Sequence, residues 1–389
     1  MRLIITFFLL LILFPAPGRA ANPEFRALWV HNWGPGLLCE QQVGETVKWA
    51  KDANLNALIV QVRRLGDAYY CSACEPRADN ILAGPEYDPL GCVITQARAA
   101  GLEVHAWFNV YRVGAKTGLP TLPNHVATLH PEWLTKDEKG NTLSAEGAFL
   151  DPGVPAARQY LLTVISDLVS KYELDGLMLD YIRYPGKNWG YNDIAIAEFN
   201  KAYGRTGKPL PDDPAWRDWR RQQVTQTVQA ISETVHRLKP GMKLSAATIA
   251  WGKCDPDFTQ TSAYKTVFQD WPSWMRQGFL DANMPMNYKD PTNPKLNQWF
   301  ADWVVGAKKW SYGRHVYCGL MLYNSIPGAI KQIKLALDNG ADGVVGLSFS
   351  QATFKDELAR KLKSTVFSAP SPTPSMAWKL SVQDKPSGL

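Results

Sequence analysis

The sequence predicts an α/β fold, a single (β/α)8 TIM barrel in which eight parallel strands close inside a ring of helices. Three observations lead there. Eight short apolar runs, rich in branched and aromatic residues, punctuate residues 25–350. Amphipathic stretches separate most of them, and that alternation is the mark of a parallel sheet. The turn after the first run, "WVHNWGPG", lacks the GxGxxG phosphate loop usual in the rival architecture, an open doubly wound sheet.

The strand runs are, in order, 25–31, 56–63, 103–110, 176–182, 243–250, 282–288, 316–322 and 343–350. Helical periodicity falls at 41–53, 88–100, 155–171, 214–238, 294–310, 327–339 and 353–365. The clearest case is 214–238. There Trp216, Trp219, Val224, Val228, Ile231, Val235 and Leu238 recur at three- to five-residue steps, and "KPG" follows as a stop. The aspartates of "LDG" (Asp175) and "GADGVVG" (Asp342) read as helix-to-strand turn residues at the barrel bottom.

Residues 1–20 read as a secretory signal: Arg2, an apolar stretch from Leu3 to Phe14, then small residues and a cut after Ala20. The stretch is short for a membrane span, so an uncleaved anchor is the lesser alternative. The expectation is a secreted or periplasmic protein with no integral membrane segment after signal cleavage. The barrel is expected over residues 21–366. Residues 367–389, "FSAPSPTPSMAWKLSVQDKPSGL", are rich in proline and serine and read as a disordered tail.

Six cysteines fit an exported chain, and at least one disulfide is expected among Cys39, Cys71, Cys74 and Cys92. The lone CxxC, Cys71–Cys74, has no second pair or histidines at zinc spacing. Cys318 reads as a plain buried thiol. Formal charge is +6, with no run of five or six like charges, which argues against a nucleic-acid partner.

In this fold active sites lie at the C-terminal ends of the strands. Asp180 falls there on the fourth run, in "LDGLMLDYIRYPG". Other polar and aromatic residues converge at the same level: Trp29 and His31; Gln61 and Arg63; His105, Trp107 and Asn109; Trp251; Asn287, Tyr288 and Asp290; Tyr323. Aromatic faces beside directed hydrogen-bonding groups suit a polysaccharide or oligosaccharide, whose rings have apolar faces and hydroxyl edges. Cleaving it needs two carboxyl groups. Asp180 is the first candidate and Asp290 the second; Glu75, Glu146 and Asp151 stand in reserve. Arg63 and Arg183 are the cations expected to keep Asp180 ionised, as a base or nucleophile. Strand alternation puts Met178 and Asp180, and His105, Trp107 and Asn109, on inward faces. No cofactor motif and no metal-ligand spacing is present in the sequence.

The order "NALIVQVRRLGDAYYCSACEPRA", "YDPL", "GLEVHAWFNVYRV", "LDPGVPAARQYLL", "LDGLMLDYIRYP" resembles the bacterial glycosyl-hydrolase-like ten family, closely over Phe25–Pro185 and more loosely through "MPMNY". The resemblance implies a TIM barrel, export and action on glycan. One branch of the family cuts peptidoglycan glycan strands stripped of their peptides. By position it implies site roles for Gln61, Arg63, Asp67, Glu75, His105, Trp107, Asn109, Asp151 and Asp180. A departure is visible: a branch that reads Asp-Asp-Tyr is matched here by Asp180-Tyr181-Ile182. The expected function is therefore an exported glycoside hydrolase, with a non-catalytic glycan-binding barrel as the alternative. A metal-dependent deacetylase is the third reading, for which the sequence offers no histidine–acid cluster.

Overall fold

The computed structural model describes residues 23–351 and 354–379. The leader expected at residues 1–20 and the end of the chain from 380 lie outside the described residues. Eight strands close into a barrel of consecutive parallel neighbours: β1 (Phe25–Val30), β2 (Ala57–Arg63), β3 (Glu103–Asn109), β4 (Gly176–Asp180), β5 (Lys243–Ile249), β6 (Ala282–Met286), β7 (His315–Met321) and β8 (Gly343–Leu347). All eight expected strands are present; β2 ends with its apolar run at Arg63, and the other seven end one to three residues before theirs.

Alternation splits each strand between two cores. Leu28, Val30, Leu58, Val60, Val104, Ala106, Phe108, Leu177 and Leu179 face the helices. Phe25, Ala27, Trp29, Ala57, Ile59, Trp107, Met178, Met284 and Tyr317 fill the barrel interior. Close packing there constrains the backbone. A Cβ at Gly319 would sit 2.7 Å from the Trp29 ring, and one at Gly176 would sit 2.2 Å from His105. As expected, Asp175 and Asp342 are bottom turns: Asp175 accepts from Val104 N–H at 2.8 Å, and Asp342 from Val316 N–H at 2.8 Å.

The periodicity of residues 193–203 is not legible in the sequence, yet Asp193–Tyr203 is a helix. Asn192 caps it through Ile194 N–H, and Gly204 ends it at φ 61°. Its buried residues, Ala195 and Phe199, pack on a satellite cluster with Tyr191, Trp216 and Trp219 rather than on the main core.

Two expectations are corrected. The tail does not hang free as far as it is described. Ser371 Oγ accepts from Glu24 N–H, Thr373 donates to Glu103 at 2.6 Å, and Trp378 Nε1 donates to Asp281 at 2.8 Å. Met376 enters the interior cluster from below. A few apolar and hydrogen-bonding residues dispersed among prolines suffice to seal the open bottom of the barrel. The six cysteines are all unpaired thiols, including Cys39, Cys71, Cys74 and Cys92. Cys71 faces solvent while Cys74 and Cys92 pack partly against the outer core. Cys318 is buried, as expected.

Candidate active site

Asp180 closes β4 and is 5% exposed. Its Oδ2 accepts from Trp107 Nε1 at 3.0 Å and its Oδ1 from Tyr181 N–H at 2.7 Å. Tyr181 reaches that bond by adopting φ 50°, a left-handed conformation that costs a non-glycine residue energy. Burial dominates the electrostatics: it pushes the Asp180 carboxyl from its ordinary 3.8 up to about 6, against the pull of Tyr181 N–H, Arg183 and Trp107. This corrects the expectation that nearby cations hold the Asp180 carboxyl low: its pKa is raised, and it loses its proton only as pH rises through about 6.

The neighbours form a connected frame. Trp107 also donates to Asn109 Oδ1 at 2.9 Å. Gln61 Nε2 donates to the same oxygen at 3.4 Å, and Gln61 Oε1 accepts from Asn32 N–H at 3.2 Å. Asn109 Nδ2 donates to Arg64 O at 2.8 Å. This network ties the tops of β1, β2 and β3 to the indole that holds Asp180. Trp29 lies with its ring centre 6.4 Å from Trp107 and 6.3 Å from Tyr288, tilted to one and edge-on to the other. Tyr323 is half-buried just past β7.

Arg183 is buried and pairs bidentately with Glu146, at 3.0 and 2.7 Å. Its guanidinium lies 5.0 Å from the Tyr181 ring centre and 5.5 Å from that of Trp251. Glu146 sits on a tight loop where its N–H donates to Ser144 Oγ, and its negative charge helps burial raise the Asp180 carboxyl. Glu146, a reserve in the sequence, is thus the carboxylate grouped with Asp180. Trp33 carries no strand signal. It stacks on His31 at 4.0 Å and meets Trp107 edge-on at 6.1 Å. Among the described residues no group of three His, Cys, Asp or Glu side chains could hold a metal ion.

Several expected site residues lie elsewhere. Asp290 is exposed and caps its own turn, accepting from Thr292 N–H and Oγ1 at 2.8 and 2.7 Å. Those bonds lower its pKa, the opposite of a proton donor. The strand register slips between Gln61 and Arg63, so Gln61 pairs with Trp107 but Arg63 with Phe108. That bulge turns Arg63 to the outer layer. There it grips Glu75 at 2.6 Å, bonds the Asn109 carbonyl and lies over the Phe108 ring. Glu75 also accepts from Tyr160 Oη at 2.8 Å. Asp151 is fully buried behind the sheet, accepting from Gly153 N–H at 2.8 Å and Tyr184 Oη at 3.3 Å.

Asp67 shapes the loop after β2 through Leu65 N–H at 2.7 Å, and lines a rim cavity of about 330 Å³ with Arg64, Leu119 and His125. His105 faces inward but stands four residues below Asn109, roughly 13 Å down the strand. It bonds Glu103 at 3.1 Å beside Phe25, at the bottom. Asn287 and Tyr288 cannot both face the cleft under a two-residue period. Asn287 turns out and donates to Phe300 O at 2.9 Å.

The glycosyl hydrolase-like 10 family matches residues 24–335. Glycosyl hydrolase YngK of Bacillus subtilis is 30% identical over 345 residues, covering 82% of this chain and 65% of that protein. The chain therefore spans just under two thirds of that relative. Glycosyl hydrolase DigH of Escherichia coli is 27% identical over 380 residues, covering 83% of this chain and 81% of that protein. Among solved structures, the PgaB glycoside hydrolase domain of Bordetella bronchiseptica superposes with a TM-score of 0.67 at 14% identity, over 91% of this chain and all of that one. The β-amylase catalytic domain of Paenibacillus polymyxa superposes with a TM-score of 0.63 at 14% identity, again over 91% of this chain and all of that one. At such identities these two likenesses speak to the barrel fold alone. The family match over most of the chain agrees with the motifs around Asp180, and this chain belongs to the glycosyl hydrolase-like 10 family.

Proposed function

We propose that this protein is an exported glycoside hydrolase that cuts a polysaccharide, with peptide-free peptidoglycan strands as its first candidate substrate. One observation carries the reading: a buried carboxyl at the C-terminal end of β4, raised to about 6, set among tryptophans and a tyrosine. A carboxyl raised into this range holds its proton to a higher pH than an ordinary aspartate does, as a general acid requires. Asp180 then protonates the glycosidic oxygen as the bond to the anomeric carbon breaks. Glu146 is the matching carboxylate, held by Arg183. It stabilises the oxocarbenium-like transition state and takes the proton of the water that adds to the anomeric carbon. The products are a free reducing end and a free hydroxyl.

The test is release of reducing ends from a glycan panel headed by peptide-free peptidoglycan strands. Asp180→Asn should lower turnover by about 10²–10⁴-fold while the variant folds and binds glycan as wild type does. A wild-type chain that binds a glycan without releasing reducing ends would refute the hydrolase reading and favour a glycan-binding barrel.

A further inference from the structure

Two tryptophans near the carboxyl group remain without a structural task that explains their exposure. Trp33, past the end of β1, is 53% exposed, and Trp251, past the end of β5, is 41% exposed. Most other tryptophans of the barrel are buried: Trp29, Trp107, Trp216, Trp219, Trp271, Trp274 and Trp303 are each at most 5% exposed. Leaving an indole half in water forgoes the burial that stabilises its neighbours. Trp33 follows β1 and Trp251 follows β5, strands four steps apart in a closed ring of eight.

Each is also one side chain away from Asp180. Trp33 meets Trp107 edge-on at 6.1 Å, and Trp107 donates to Asp180. Trp251 lies over the Arg183 guanidinium at 5.5 Å, and Arg183 acts electrostatically on Asp180. Both indoles are propped on one side, by the stacked His31 ring in one case and the Arg183 fork in the other. Such support holds an aromatic face in a fixed position before any ligand arrives.

Resting on the hydrolase reading above, we propose that Trp33 and Trp251 are sugar-stacking platforms on the two sides of the scissile bond, so that a long glycan lies across the mouth from β1 to β5 and is cut internally. The apolar face of a pyranose ring covers an indole, and its hydroxyl edges remain free for the polar groups between. Trp107 links the Trp33 platform to Asp180, and Arg183 links the Trp251 platform to it. A chain occupying both platforms therefore places an internal linkage over the carboxyl group.

The experiment uses the full chain and reducing-end-labelled peptide-free peptidoglycan strands separated by length. Wild type should produce intermediate lengths early. Trp33→Ala and Trp251→Ala should each raise KM by about threefold to tenfold, the worth of an aromatic contact. The kcat should stay within about twofold, and Trp→Phe at either position should restore most of the loss. Products confined to one terminal unit, or a KM unchanged in both alanine variants, would overturn the proposal while leaving the hydrolase reading intact. Should wild type bind these strands and cut none, the hydrolase reading fails. Calorimetry on the same variants then decides the platforms separately, and unchanged affinity would overturn them.

Discussion

At the residue scale, Asp180 shows how local environment reassigns a role. Its position at the end of β4 is legible from alternation and from the polar turn that follows. Its raised pKa is not, because burial outweighs the pull of the nearby Arg183 cation and of the Tyr181 and Trp107 N–H donors. As a proton donor it must carry its proton in the free enzyme, so kcat/KM should fall as pH rises through about 6. Trp107→Phe removes a donor that favours the charged form. Such a bond is worth about 0.5–1.5 kcal/mol, so the fall should move up by as much as about one pH unit. A profile unmoved by Trp107→Phe would contradict the contact.

The same shift bears on stability. A folded pKa raised from 3.8 to about 6 contributes stability that is fully present below 3.8 and is lost as pH rises through about 6. Asp180→Asn cannot ionise. Its stability relative to wild type should therefore increase between pH 4 and pH 8, by up to about 3 kcal/mol. Denaturant melts at the two pH values check this, and a gap that does not widen refutes it.

At the element scale, one bulge separates site from scaffold. Continuous alternation along β2 would point Arg63 at the cleft with Gln61. The register slip sends it outward to Glu75 instead, and no spacing rule exposes a single skipped residue. Both side chains are fully buried. Glu75→Gln should therefore destabilise the barrel by about 3–5 kcal/mol, because it strands a buried guanidinium. Glycan affinity at temperatures where the variant is folded should change little.

The tail gives a second element-scale case. Burial alone would raise the Asp281 carboxyl, but His236, Lys379 and Leu244 N–H bring it down to about 2. A depressed folded pKa contributes stability that is present above 3.8 and lost as pH falls through about 2. A chain ended after Phe367 lacks Lys379, Trp378 and Met376. It should lose about 2 kcal/mol at neutral pH and show a shallower decline in acid. A truncated chain as stable as the full one would refute the seal.

At the scale of the whole molecule, the thiols offer a simple count. With all six cysteines unpaired, thiol titration in denaturant without reductant should find six. In the folded protein Cys71, the exposed one, should react first, ahead of the buried Cys254 and Cys318. A count of four or fewer would restore the disulfide expected from composition. The structure departs from that expectation because cysteine number and an expected export signal speak only to compartment, whereas a bond needs two β-carbons within reach.

The sequence by itself determined the barrel, its eight strands and seven of the eleven α-helices among the described residues, since hydrophobic period and punctuation are local properties of the chain. It also determined that Asp180, Trp107, Asn109, Gln61 and Trp29 share the top of the interior, because a two-residue period and strand-end position suffice. Only the tertiary structure decided which carboxyl group stands with Asp180. Glu146 and Asp290 are both loop acids with no period to place them. Arg183 reaches the first, while Thr292 holds the second in its own turn. Only it decided that His105 belongs to the bottom, that Arg63, Glu75 and Asp151 brace the outside, and that Trp33 joins the mouth. Those outcomes depend on bulges, loop paths and contacts between residues distant in the chain, and such contacts leave no mark on local sequence.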